Sequence, residues 1–191
     1  MQTVVGLLRH GQTDWNVGMR LQGISDIPLN DFGREQARTA GSVLIGQDWS
    51  RIVSSPLSRA LETANIVAAM KSIEQVEVFP ILIERSFGIA EGMTYDEWRQ
   101  QYPAGQHAQE SETIEDLDVR VMSILDTFLS EFEGTRVLTV SHGALIRRII
   151  HMVSAGELPR DGERFGNASL TTIGHDGVSW KIINYNPAPL S

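Results

Sequence analysis

Short apolar runs alternate with amphipathic stretches along most of this chain. Thr3–Leu8 is apolar and rich in β-branched residues, the pattern of a strand buried on both faces. Asp31–Leu44 instead places Ala37, Ala40 and Leu44 at helical spacing, with Gly46 as its stop. Arg51–Val53 predicts a brief strand. Ser55-Pro56 then reads as an N-cap followed by proline at the first helical position, and Ala60, Ala64, Val67 and Ala68 continue one face of that helix. Val76–Phe79 is a short strand. Leu117, Val121, Ile124, Leu125, Phe128 and Phe132 form the clearest amphipathic helix. Arg136–Val140 reads as a strand, and Ala144–Val153 as the helix after it. Leu170–Ile173 and Ser179–Ile183 read as two late strands around the turn-like Gly174-His175-Asp176-Gly177. Between the Val76–Phe79 strand and the helix from Leu117, Arg85–Asp116 has weak periodicity and reads as an insertion with a short helix near Tyr95–Gln101, placed to act as a partial lid. Pro187-Ala188-Pro189 marks a loose end.

Alternation of this kind implies an α/β sandwich with a largely parallel sheet, and a length of 191 residues fits one domain, 1–191, with the lid at about 85–116. Composition then narrows the function classes. There is no cysteine, which excludes disulfides, thiolate nucleophiles and Cys-type zinc sites, and fits a reducing, cytoplasmic setting. The net charge is −8 with a pI near 5.1, and no run of Lys and Arg offers a nucleic-acid footprint. No stretch approaches the roughly 18 apolar residues of a membrane span. The opening MQTVVGLLRHG reads as a first strand, not a signal peptide, because it lacks a basic start and Arg9 ends its apolar run. An acidic chain that handles an anion must gather its few cations locally.

Ligands of such sheets bind beyond the carboxyl ends of the strands. Arg9-His10-Gly11 follows the first predicted strand, Ser54-Ser55-Pro56 and Arg59 the second, and Ser141-His142-Gly143 the fourth. One rim is thus offered two histidines and two arginines. Taken singly, each has an ordinary reading as a structural or surface group. Together they suit an anion site. Neutral imidazole is a nucleophile near pH 7. Guanidinium forks bind two oxygens of a phosphoryl group at once. Arg59 falls in the first turn of its helix, where backbone N–H groups also favour an anion. A leaving alkoxide needs a proton, and Glu84, after Ile81-Leu82-Ile83, is the best carboxylic acid for it, given partial burial or an anionic substrate beside it.

The segment Leu8-Arg9-His10-Gly11-Gln12-Thr13-Asp14-Trp15-Asn16 resembles the R-H-G-x-T-x-x-N signature of the histidine phosphatase superfamily, the phosphoglycerate mutase-like family. Further blocks match in the family's order: Leu21-Gln22-Gly23 with Asp26, Pro28-Leu29 and Gly33; Ser54–Ala60 with Thr63-Ala64; Glu84 with Phe87-Gly88 and Glu91-Gly92; Ser141-His142-Gly143; and Asn167-Ala168-Ser169. The resemblance implies a three-layer α/β/α sandwich and a phosphohistidine mechanism. In it His10 is the nucleophile, and Arg9, Arg59 and His142 form the phosphate pocket. Asn16 and the Gly143 N–H are further donors, Glu84 is the general acid and then base, and Gln22 and Gly23 line the pocket mouth. It implies no metal and no cofactor. One departure is Ala90, where many relatives carry Trp, which puts the local pocket wall in doubt. The cluster Glu115, Asp116 and Asp118 reads as a solvated helix start, and His107, His151 and His175 match no family motif.

Phosphatase and mutase use the same residues. Cofactor-dependent mutases carry a long insertion after the proton donor, but Glu84 and His142 are only 58 positions apart here (142 − 84). A mutase must shield its phosphohistidine from water, so a small lid suits a hydrolase better. Leu21-Gln22-Gly23 also resembles the phosphatase subgroup. The reading is therefore a phosphatase of small phosphorylated metabolites that releases inorganic phosphate, with sugar phosphates, phosphoglycerate derivatives and phosphorylated cofactor precursors such as α-ribazole phosphate as candidates. A phosphoglycerate mutase and an inactive phospho-ligand binding module are the alternatives. Arg85 and Arg99 are within reach of a second anionic group, although surface charge is their simpler role. Activity should need neutral His10 and protonated Glu84, giving a bell-shaped pH profile. Oligomeric state is not legible.

Overall fold

The computed structural model describes residues 2–103 and 106–191, so residues 104 and 105 of the expected insertion lie outside the described residues. In chain order the elements are β1 (Thr3–Arg9), α1 (Asp14–Val17), α2 (Asp31–Leu44), β2 (Arg51–Ser54), α3 (Ser58–Lys71), β3 (Val76–Val78), α4 (Tyr95–Gln101), α5 (Ile114–Glu131), β4 (Arg136–Ser141), α6 (Gly143–Val153), β5 (Leu170–His175) and β6 (Trp180–Asn184). Single 3-10 turns at Pro80–Leu82 and Gly88–Ala90 flank the Glu84 segment.

The six strands form one sheet in the order β3-β2-β4-β1-β5-β6. The pairs β3–β2, β2–β4 and β4–β1 are parallel, while β5 and β6 add two antiparallel neighbours at one side. The mostly parallel mixed α/β architecture expected from the alternation is the one observed.

Alternate residues of β1 face opposite layers. Val5 and Leu7 join Leu117, Val121, Ile124 and Phe128 of α5 and Leu145, Ile146, Ile149 and Ile150 of α6. Val4 and Leu8 join Ala40 and Leu44 of α2 and Ala60, Ala64, Val67 and Ala68 of α3. A strand covered on both faces must be apolar at both parities, which is why Thr3–Leu8 shows no alternation. Two of the long helices begin on side-chain oxygen caps. Asn30 accepts the Gly33 N–H at 2.8 Å before α2, and Thr113 caps α5 through the Asp116 N–H.

One expected cap is absent. Helix α3 begins at Ser58, not at Pro56, and Leu57 in the cap position makes no side-chain bond. The carboxylate of Asp26 accepts both the N–H and the hydroxyl of Ser58 at 2.7 Å. A carboxylate from another loop thus occupies this helix start. Ser55 is thereby released to contact His142.

Register sets the rim. Arg9 pairs with Ser141 in the β1–β4 ladder, and Ser54 with Val140 in β2–β4. The residues that follow, His10, Ser55 and His142, therefore emerge side by side where β2, β4 and β1 end. The ladders run one step further, with His10 N–H on Ser141 O and Ser55 N–H on Val140 O, both at 3.0 Å.

Candidate active site

The imidazoles of His10 and His142 lie with ring centroids 5.2 Å apart, and both residues are buried. His10 Nδ1 is 2.6 Å from the carbonyl oxygen of Gly11. A carbonyl only accepts, so Nδ1 carries the proton and the lone pair is on Nε2. Burial, and then the positive charges of Arg59 and Arg9, push the His10 pKa well below its ordinary 6.5. The ring is neutral with a free lone pair at physiological pH, the state a nucleophile needs.

The peptide around His10 is held from three sides. Thr63 Oγ1 on α3 accepts the Gly11 N–H at 3.1 Å and donates to Arg59 O. The Asn167 amide donates to His10 O at 3.1 Å, Gly11 O at 3.2 Å and Asn16 Oδ1 at 3.1 Å. Helix α2 presses against the loop through glycines, since a Cβ on Gly33 would lie 2.1 Å from Gln12 O and one on Gly11 2.3 Å from Gly33 O. Asn16 spends its carbonyl oxygen on Thr13 and Asn167, leaving its –NH2 as the end that can donate to a ligand.

The two arginines are the unusual part of the site. Arg59 is 0% exposed and donates to Ser25 O and Gly23 O, both at 2.7 Å. Arg9 donates to Phe165 O. Neither has a carboxylate partner among the described residues, and the Nε–H of each is buried without an acceptor. Burial lowers the pKa of both guanidiniums, yet arginine stays charged at any pH of interest. His142 Nδ1 is a third buried nitrogen without a partner. Two desolvated cations and an imidazole nitrogen, each with hydrogen-bonding capacity left over, are chemically suited to an anion.

Glu84 is 8% exposed and reaches the start of α6. Its oxygens accept the N–H groups of Arg85 at 2.9 Å, Ala144 at 3.0 Å and Leu145 at 2.9 Å. The Ile146 N–H goes to His142 O, so among the first-turn donors of α6 the Gly143 N–H is the one free for a ligand. These three N–H bonds fix the Glu84 carboxyl group against the first turn of α6, at the edge of the rim.

Gln22 is buried and accepts from Thr13 Oγ1 at 3.0 Å. Gly23 adopts φ +51° and a Cβ there would meet the Glu91 carboxylate at 2.0 Å. Glu91 is a residue whose part only the structure shows. It accepts from Ile24 N, Ser25 N, Ser25 Oγ and Phe87 N, and so fixes the loop whose carbonyls hold Arg59. Asn167 and Ser55 are likewise organisers of the site. All three lie in motif blocks of the sequence, but nothing in their spacing revealed which atoms they would hold.

The insertion packs on its own small cluster of Leu21, Ala90 and Ala108, with Phe87, Met93, Trp98 and Tyr102 around it. Ala90 is fully buried there, and Trp98 of α4 stacks edge-on to Phe87 at 5.9 Å. Arg99 is exposed. Arg85 is half-buried, donates to Glu112 O at 3.0 Å and lies over the Phe87 ring at 5.3 Å. In the acidic cluster, Asp116 accepts from its cap Thr113 and Asp118 pairs with Arg148. His107 is exposed, and His175 stacks on Trp180 at 5.2 Å. No helix among the described residues is long and apolar enough to cross a membrane.

A sheet-end site with a neutral nucleophilic imidazole and unpaired buried cations defines a class of phosphoryl-handling proteins. Residues 5–187 match the histidine phosphatase superfamily (branch 1), and the chain belongs to that family. It is 38% identical to a Bacillus subtilis protein named uncharacterized phosphatase PhoE, over 96% of this chain and 94% of that one. It is also 32% identical to a Serratia proteamaculans protein named probable phosphoglycerate mutase GpmB, over 92% and 86%. Among solved structures, the mycobacterial glucosyl-3-phosphoglycerate phosphatase in complex with VO3 superposes with a TM-score of 0.83 at 29% identity, covering 96% of this chain and 98% of that chain. The fold and the phosphatase- or mutase-like class expected from the motifs are thus shown.

Proposed function

We propose that the chain is a single-domain phosphoric monoester hydrolase acting on small phosphorylated metabolites through a phosphohistidine, without a metal. The observation that carries this reading is the pair of arginines at the rim, Arg59 buried and Arg9 half-buried, that form no ion pair with a carboxylate among the described residues and keep buried, unbonded Nε–H groups around a neutral His10. A phosphoryl group supplies the negative charge they lack.

In the first step the Nε2 lone pair of His10 bonds to phosphorus as the ester P–O bond breaks, and the leaving oxygen takes a proton from Glu84. Arg9, Arg59, His142, the Asn16 amide and the Gly143 N–H hold the equatorial oxygens, with Gln22 and Gly23 at the pocket mouth. In the second step the Glu84 carboxylate takes a proton from water as the water oxygen bonds to phosphorus. The N–P bond breaks, inorganic phosphate leaves, and both His10 and Glu84 return to their starting states.

The small insertion between Glu84 and His142 favours hydrolysis, because it offers little to keep water from the phosphohistidine. The mutase-named relative supports the second reading, transfer of the phosphoryl group within a phosphoglycerate. The test is phosphate release with EDTA present from p-nitrophenyl phosphate, sugar phosphates, 3-phosphoglycerate and phosphoserine, the last two being ligands named for a related Entamoeba histolytica phosphatase. EDTA-resistant release, abolished by His10→Ala, is the expected result. Formation of 2-phosphoglycerate without phosphate release would replace it with the mutase, and no turnover of any substrate would leave only phosphate binding.

A further inference from the structure

We propose that Ser55 is a positioning residue that fixes the tautomer of His142, so that Nδ1 bears the proton offered to the phosphoryl oxygen. The inference rests on the phosphatase reading of the site. Ser55 is fully buried at the end of β2. Its hydroxyl accepts the Leu57 N–H at 3.3 Å and lies 2.7 Å from His142 Nε2. A hydroxyl that accepts one N–H still has its own proton to give. His142 Nε2 is the acceptor within reach, so Nε2 carries the lone pair.

The rest follows from the ring. Burial, and then the Arg59 guanidinium, the neighbouring His10 imidazole and the Arg9 guanidinium, push the His142 pKa well below 6.5. A neutral imidazole has one proton, and with Nε2 accepting it must sit on Nδ1. That nitrogen is buried without a protein partner. In the other tautomer Nδ1 would turn a lone pair toward an anionic oxygen, and the third donor of the pocket would become a repulsive group. His10 has the same tautomer for a different reason, its Nδ1–H bond to Gly11 O. One histidine is set by a backbone carbonyl and the other by a side-chain hydroxyl, so substitution at position 55 addresses His142 alone.

The test is long-range proton–nitrogen correlation spectroscopy of 15N-histidine-labelled protein at pH 7.5, with His142 assigned by the loss of its signals in His142→Asn. The wild type should show His142 and His10 both protonated at Nδ1. Ser55→Ala should move His142 toward the Nε2–H form and leave His10 unchanged. It should also weaken orthovanadate binding at least about tenfold, the scale of one charge-assisted hydrogen bond, and Ser55→Thr should restore it. Nε2-protonated His142 in the wild type, a measurement that needs no variant at position 55, would overturn the proposal. So would unchanged His142 signals and vanadate affinity in Ser55→Ala. Absence of vanadate binding and of His10-dependent turnover in the wild type would sink the phosphatase reading instead, with the tautomer result standing separately.

Discussion

Arginines at the strand-end rim and in the segment beside it are treated in opposite ways. Arg59 is fully buried and hydrogen-bonds only two backbone carbonyls, with no ion pair to a carboxylate among the described residues. Arg120 on α5 is nearly as enclosed, at 16% exposure, but it forms a two-pronged pair with Glu112, itself 17% exposed, and donates to Ile81 O and Ile83 O. The second arginine is compensated within the chain and ties the Glu84 segment to α5. The first has two carbonyl acceptors but no carboxylate ion pair among the described residues. Uncompensated burial of charge opposes folding by several kcal/mol, so its confinement to the rim says where an anion belongs.

Substitution should separate the two. Arg59→Met should lower kcat/KM by about 10²–10³, the usual effect of removing a donor that stabilises transition-state charge. Its stability should shift by less than about 1 kcal/mol, because loss of two carbonyl bonds is offset by removal of a bare buried charge. Arg120→Met should instead lower stability by about 2–4 kcal/mol in urea unfolding, since Glu112 and two carbonyls lose their partner. Equal stability losses in the two variants would end the contrast.

The pH dependence of stability sharpens it further. His10 and His142 have native pKa values well below 6.5. Below about 6.5 the unfolded chain therefore binds protons that the native rim refuses. Stability from this source is complete above that pH and is lost as pH falls toward the depressed native values, with a slope of at most about 1.4 kcal/mol per pH unit for each histidine. Phosphate should oppose the loss, because it binds the native state alone. A slope unchanged in His142→Asn would remove His142 from this account. In activity, the acid limb set by His10 should likewise fall well below pH 6.5. The smallest effect is expected at the part-exposed Asp118–Arg148 pair between α5 and α6. Asp118→Asn should lower stability by no more than about 1 kcal/mol and leave kcat/KM unchanged.

Much of this was legible in the chain before its structure. A continuous apolar run announced β1, and helical spacing announced α2, α5 and α6, because periodicity records which faces are buried. The placement of His10, Arg59 and His142 after the first, second and fourth strands pointed to one rim. The helix start at Ser55-Pro56 misled, since a serine before proline has the chemistry of a cap, and only the arrival of Asp26 at Ser58 shows that the cap comes from another loop. Residue types and order along the chain therefore determined the layers, the family and the candidate groups of the rim, all of which depend on local pattern. Tertiary structure alone decided the burial and partners of the two imidazoles, the role of Glu91 behind Arg59, the clamp from Asn167 and the N–H bonds from α6 to Glu84. Those depend on register and on contacts between segments far apart in sequence, with Arg9 level with Ser141 and Glu84 brought to the first turn of a helix 60 positions on.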